Sequence, residues 1–335
     1  MKLFYLLLIS ICLLVFNEKK TSEKSNFDNI PYEIVNHWPE LSKDYKLGQP
    51  TGIGIDKDDN IFVFHRAGRL WTDPFPDSLI SKNTVIELDN KSGKIINSWG
   101  ANYFIMPHGL TVDNQNNIWL TDVGLHQIFK FSHDGKLLMK LGEAKVPGND
   151  SSHFNLPTDV AVANDGSFYV SDGYGNSRVV KFSSTGKFIR EWGTFGKKPG
   201  SFNIPHGIAI DQNNIIYVAD RQNNRVQLFD SIGNFIKEIK NDLKVEQLPS
   251  VAIDKENHLF AIDYDSTRKA DSTANGSTIF EFDNSFNPKN HFGASGSSDR
   301  VTSWFHDLAI DSKGNIYVGD ITVLKILKFK PKNPH

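Results

Sequence analysis

The sequence predicts an all-β chain closed into a six-bladed β-propeller, and three observations predict it. A short unit, running from a polar turn to an acidic strand end, recurs six times. Its clearest copies are Asp113–Asp122, Asp211–Asp220 and Asp311–Asp320; weaker ones are Asp56–His65, Asn164–Asp172 and Asp254–Asp263. Successive copies start 43 to 57 residues apart, the period of a four-stranded blade. Short alternating apolar runs separated by Gly- and Asn-containing turns fill the intervals, with no long helical period.

The elements follow in chain order. Met1-Lys2 and the apolar run Leu3–Phe16 read as an export signal, since the run is shorter than the ~20 residues of a spanning helix. Residues 1–20 are assigned to a signal peptide, a lipoprotein signal or an uncleaved anchor, with Cys12 as the residue a lipoprotein would lipidate. Residues 21–30 form a polar linker and 31–332 the propeller. This places the folded part outside the cytoplasm: secreted, periplasmic or membrane-anchored. Within each unit the fourth copy shows the layout most plainly. Gly207–Asp211 and Ile216–Ala219 flank a polar turn, Val226–Phe229 follows, and a hairpin at Ile232-Gly233 leads to Phe235–Ile239. Asp134-Gly135 and Thr185-Gly186 are equivalent hairpins. The sixth unit ends after Lys325–Phe329, one strand short, and Tyr32–Val35 is expected to complete it. A blade cannot bury both faces alone, so closing the ring is what makes the fold stable. The polar stretch Tyr264–Ser277 is expected to be a surface loop.

Composition narrows the function. The 335 residues carry a net charge of −2, without the basic surplus of a nucleic-acid binder. Cys12 is the only cysteine, so no disulfide supports the fold. A monomer is expected.

Three histidines occupy one position of alternate repeats: His108 in Pro107-His-Gly-Leu110, His206 in Pro205-His-Gly-Ile208, and His306 in Phe305-His-Asp-Leu308. Thr51, Thr158 and Ser250 stand at that position in the other copies. Placed just before the innermost strands of blades two, four and six, the histidines would converge on the axis at about 120° intervals. Three neutral imidazoles suit zinc, with a fourth position open; a turn histidine that merely bonds locally is the plainer alternative for any one of them. Arg66 and Arg221 follow the second strand in units one and four, opposite each other, and could clamp a carboxylate. Tyr174 sits one position further on in unit three and is a candidate general base. Asp307 could bind a hard cation such as calcium or orient a histidine. His65, His126, His153 and His291 have no register argument and are read as structural or surface residues.

The repeat resembles the NHL repeat. In particular, Val63–Arg66, Pro107–Leu110, Thr121–Gln127, His153–Val160, Val170–Arg178, Pro205–Gly207, Ala219–Arg221 and His306-Asp307 resemble, in order, the peptidyl-α-hydroxyglycine α-amidating lyases. The resemblance implies a catalytic zinc on His108, His206 and His306, with Tyr174, Arg66 and Arg221 essential for catalysis. It also implies a structural calcium on Asp307 and the backbone carbonyls of Leu110 and Ile53. The implied reaction splits a small-molecule or peptide substrate ending in α-hydroxyglycine into an amide and glyoxylate. Two departures stand out: Gly175 replaces a cysteine of the animal members, and Trp304-Phe305 precede the third histidine, where the family has methionine and proline. The competing readings are a non-catalytic extracytoplasmic propeller that binds a partner and a calcium-dependent lactonase-like hydrolase.

Overall fold

The computed structural model describes residues 31–240, 247–263, 277–293 and 303–332. The export segment with Cys12, the linker, and all of the Tyr264 loop except Ser277 lie outside them. The described residues form six antiparallel sheets of four strands, the expected all-β six-bladed propeller. Blades one to five run in simple chain order, Pro50–Trp99, Pro107–Leu141, Asp159–Trp192, Pro205–Lys240 and Ser250–Gly293. Blade six combines Phe305–Ile310, Ile316–Asp320 and Lys325–Pro331 with an N-terminal strand, Tyr32–Ile34. Tyr32 pairs with Pro331, Glu33 with Lys330 and Ile34 with Phe329, so the expected latch forms. It is one residue shorter than expected, although Val35 N–H still donates to the Lys328 carbonyl at 2.8 Å.

The repeated aspartates have local causes. At the turn between the first two strands, one carboxylate oxygen accepts the N–H groups two and four residues on. Asp113 does this for Gln115 and Asn117, Asp211 for Asn213 and Ile215, and Asp311 for Lys313 and Asn315. Such side-chain turns are what Asp offers at a reversal. The acids ending the second strands fasten the incoming chain instead. Asp122 accepts from the Ile105, Met106 and Leu125 N–H groups, and Asp172 and Asp220 pair with Arg178 and Arg225 at 3.0 and 2.8 Å.

Second strands such as Ile216–Asp220 are buried along their whole length, because neighbouring blades cover both faces. The core lies at those blade-to-blade seams. Phe62, Phe64 and Val85 of blade one pack with Phe104, Leu110, Leu120, Phe129 and Phe131 on the blade-two side. Each buried phenylalanine contributes about 1.5–3 kcal/mol of transfer free energy.

The innermost strands surround the axis. One expectation is corrected here: the histidines do not precede these strands but lie inside them, at a bulge. Pairing jumps between Pro107 and Leu110, between Pro205 and Ile208, and between Phe305 and Asp307. A bulge inserts a residue and re-aims its side chain, which is how a strand residue comes to face the channel.

Candidate functional site

The bulges of blades two, four and six bring His108, His206 and His306 together. Their ring centroids lie 4.7 Å apart for two pairs and 5.0 Å for the third. Their ligand nitrogens all fall within 4.8 Å of one another, and all three rings are buried. Each Nδ1–H donates to a backbone carbonyl of the following blade's segment: Thr158 for His108, Pro249 for His206 and Thr51 for His306, at 2.7–2.8 Å. Those bonds fix one neutral tautomer, with every Nε2 lone pair turned to the axis. Burial is the main cause holding the rings neutral. The His306 and Arg66 charges add to it at His108, well below the usual imidazole range, as the Arg221 charge does at His206. His306 is pushed down to about 3 by burial and the Arg66 charge.

Tyr174 closes the site from blade three. Its hydroxyl stands 3.1 Å from His108 Nε2 and 3.0 Å from His206 Nε2, and Arg221 Nη1 donates to it at 3.2 Å. One hydroxyl hydrogen faces two Nε2 acceptors. The pocket therefore has more lone pairs than donors, which fits a cation held by the three Nε2 atoms.

The two arginines reach the same place by different routes. Arg221 opens a 3-10 turn, Arg221–Asn223, and its guanidinium lies 5.2 Å from the Tyr174 ring centroid. Its buried Nε has no hydrogen-bond partner among the described residues. Arg66 is almost wholly buried; its Nε donates to the Pro107 carbonyl and its Nη1 to Gln49 Oε1. Burial pushes its pKa down to about 10. Among the described residues neither arginine has a carboxylate partner. Buried cations without anions are expensive, and the arrangement suits an anionic ligand.

Asp307 lies beneath the histidines. Its Oδ2 accepts the Ile53 N–H at 2.8 Å and its Oδ1 the Ser250 hydroxyl at 2.7 Å. Ile53, Leu110 and Asp307 line one cavity of about 280 Å³ further along the channel. Burial pushes Asp307 up to about 7.

With this geometry in place, comparison with known proteins becomes informative. A family model described as a 6-bladed beta-propeller matches residues 148–320, and an NHL repeat model matches residues 104–131. The chain belongs to this six-bladed propeller family. Among curated proteins it is 34% identical to peptidyl-alpha-hydroxyglycine alpha-amidating lyase 1 of Drosophila melanogaster, over 90% of this chain and 60% of that protein. It is 34% identical to peptidyl-glycine alpha-amidating monooxygenase B of Xenopus laevis, over 93% of this chain. The chain thus spans 37% to 60% of the length of these two relatives. Among solved structures a streptogramin B lyase superposes with a TM-score of 0.58 at 15% identity, covering 90% of this propeller and 97% of that chain. That likeness is one of fold.

Two residues of this propeller's site escaped the sequence reading. Asp159 faces the same cavity as Asp307 and is pushed well above the carboxylate range by burial and by the Asp307 charge. It follows Thr158 as Asp307 follows His306, in the opposite blade, so the register that paired the arginines would have found it. Trp71 belongs to the long connection between Ile61–His65 and Val85–Leu88. Its half-exposed ring stands 5.3 Å from the Tyr174 ring and 5.2 Å from the Arg66 guanidinium. Of the pair before the third histidine, Phe305 is fully buried and Trp304 partly so. His65, His126 and His153 bond to their neighbours outside the triad.

Proposed function

We propose that the propeller is a zinc-dependent lyase that cleaves a C-terminal α-hydroxyglycine carbinolamide to an amide and glyoxylate. The observation that carries this reading is the Tyr174 hydroxyl, within hydrogen-bonding distance of two imidazoles and of an arginine that has no anionic partner among the described residues. His108, His206 and His306 would hold the zinc, which supplies Lewis acidity toward the carbinol hydroxyl.

The chain's own residues supply the rest. Arg221 and Arg66 bind the substrate carboxylate, which becomes the carboxylate of glyoxylate, and so fix the reacting carbon near Tyr174. Arg221 Nη1 also donates to the Tyr174 oxygen and so orients it. That oxygen takes the carbinol proton, the C–N bond breaks as the C=O bond of glyoxylate forms, and the proton returns to the amide nitrogen. Trp71 shields the Tyr174 side of the pocket from water. The balance is complete without an oxidant or reductant.

Asp307, with the carbonyls of Leu110 and Ile53, would hold a structural calcium. Support comes from the buried Asp307 and half-buried Asp159 carboxylates on one cavity, with no Lys or Arg ion pair among the described residues. On the reading of residues 1–20 as an export signal, the enzyme works outside the cytoplasm.

The test is glyoxylate release from a synthetic N-acyl-α-hydroxyglycine by protein freed of metal and reloaded with zinc. Activity should vanish on chelation and return with zinc. A metal-free protein that retains full activity, or a reloaded one that releases no glyoxylate, overturns the reading.

A further inference from the structure

A second group of metal-ligating side chains lies at the other end of the strands. Asp56 ends the innermost strand of blade one, Glu87 lies on its third strand, and His133 stands in the outer hairpin of blade two. His133 Nε2 is 3.0 Å from Asp56 Oδ2 and 3.7 Å from Glu87 Oε1, and the three ligand atoms fall within 4.8 Å of one another. Atoms sharing a tetrahedral ion at ~2.1 Å stand about 3.4 Å apart, so this spacing is that of a ligand set. Both carboxylates are buried, while the His133 side chain is 37% exposed and gives the site a path to solvent.

The other blades show what is unusual here. In blades two, four and six the turn aspartate is satisfied by an aromatic donor on the second strand. Trp119 Nε1–H donates to Asp113 at 2.9 Å, and the Tyr217 and Tyr317 hydroxyls donate to Asp211 and Asp311 at 3.3 and 3.0 Å. In blade one that position is Phe62 and in blade five Phe260, neither of which has a donor. The residue paired with the aromatic is lysine in blades two, three and six: Lys130, Lys181 and Lys328, each ammonium lying over its ring at 4.9–5.1 Å. Lys130 also pairs with Asp113. In blade one the paired residue is Glu87. Blade five has Glu281 there, but Lys289 neutralises it at 2.7 Å.

Blade one therefore combines a second carboxylate with neither an aromatic donor nor a cation; Asn60 Nδ2 donates to Asp56 Oδ2 at 3.3 Å and to Glu87 Oε1 at 3.4 Å. Among the described residues no lysine or arginine pairs with Asp56 or Glu87. Glu87 is pushed up by burial, and the Asp56 charge pushes the same way. The Phe62 ring packs edge-on against the His133 ring at 5.0 Å and fixes the direction in which the imidazole points.

We propose that Asp56, Glu87 and His133 form a second metal site, for a divalent first-row ion, clamping blades one and two together. One imidazole and two carboxylates are a mixed N/O set suited to zinc or manganese, and a divalent ion cancels the two buried charges. The innermost strand of blade one runs from the axial bulge at Thr51 to Asp56, so this site lies about 15 Å from the histidine triad, on the opposite face.

The probe is zinc alone, added to metal-free full-length protein. Wild type should bind one equivalent more than either Glu87→Lys or His133→Ala, whose affinity at this site should fall at least 100-fold. In a His108→Ala/His206→Ala background the axial site is removed. One equivalent should still bind there and raise Tm by several degrees. Glu87→Lys restores the lysine used in three other blades, so it should keep the metal-free Tm while abolishing the zinc-dependent rise. His133→Ala, at a partly exposed hairpin, gives the same answer without a buried change. The proposal is overturned if zinc stoichiometry is unchanged in Glu87→Lys and His133→Ala. It is equally overturned if the background lacking the axial histidines folds and binds no zinc.

Discussion

Replacing Tyr174 by Phe removes one oxygen and leaves the ring. The ring is held edge-on by His108 and His206 at centroid distances of 5.2 and 5.4 Å and by a tilted contact with Trp71 at 5.3 Å, so the pocket keeps its shape. What is lost is the atom within hydrogen-bonding distance of two Nε2 atoms and of Arg221 Nη1. If that oxygen moves the proton, the loss is that of a positioned general base, ~10²–10⁴-fold, or about 3–5 kcal/mol of transition-state stabilisation. The imidazoles keep their Nδ1 partners, so zinc affinity should change little. The assay is steady-state glyoxylate release, with bound zinc measured on the same samples. Tyr174→Phe should lower kcat by that factor, keep KM within a few-fold, and retain zinc. A variant within tenfold of wild type in kcat would refute the assignment of the proton to Tyr174. Equal loss of zinc and activity would show that the hydroxyl serves the metal instead.

Three further outcomes are expected. Arg221→Lys and Arg66→Lys each replace a planar fork by a single ammonium, so KM for a carboxylate-bearing substrate should rise ~10–100-fold, with a smaller effect on kcat; unchanged KM in both would place the carboxylate elsewhere. Gly109→Ala would put a Cβ 2.5 Å from the Thr158 carbonyl, the group that orients His108; zinc affinity should drop at least tenfold although no ligand changes, as equilibrium dialysis would show. His65 is held neutral, pushed down to about 4 by burial, with Nδ1 accepting the Gly48 and Ala67 N–H groups and Nε2–H donating to Tyr45. Its folded pKa lies below its unfolded value of ~6.5, so its contribution is complete above that pH. About 3 kcal/mol is then lost as pH falls toward 4. His65→Gln should be correspondingly flatter over pH 6.5 to 4 in denaturant titrations, and parallel curves would contradict this.

Much of the fold was legible because each blade repeats one solution. The turn aspartates and the acids closing the second strands stand in the sequence at the positions where the structure uses them. The axial histidines were legible for the same reason: one register position carries them in alternate copies. The bulge was not, because an inserted residue resets the two-residue alternation that reveals a strand. Asp159 was hidden only by comparing histidines and not the residue after them. Trp71 had no such signal, since its segment lies between the repeated strands and meets Tyr174 through space across two blades. Glu87 reads as an ordinary strand residue until it is set beside Lys130, Lys181 and Lys328.

The Nδ1 bonds of the three histidines tie each even blade to the segment of the blade that follows. For His306 that partner is Thr51, 255 residues back along the chain and across the seam where the ring shuts. The third imidazole is oriented only once the last blade has met the first. Capture of the proposed zinc would thereby be a proofreading step for topology. A chain that stops early, or that pairs its final strands with a neighbouring molecule, presents two oriented imidazoles at most. In such a protein, metal content reports the fraction of molecules whose circle is complete.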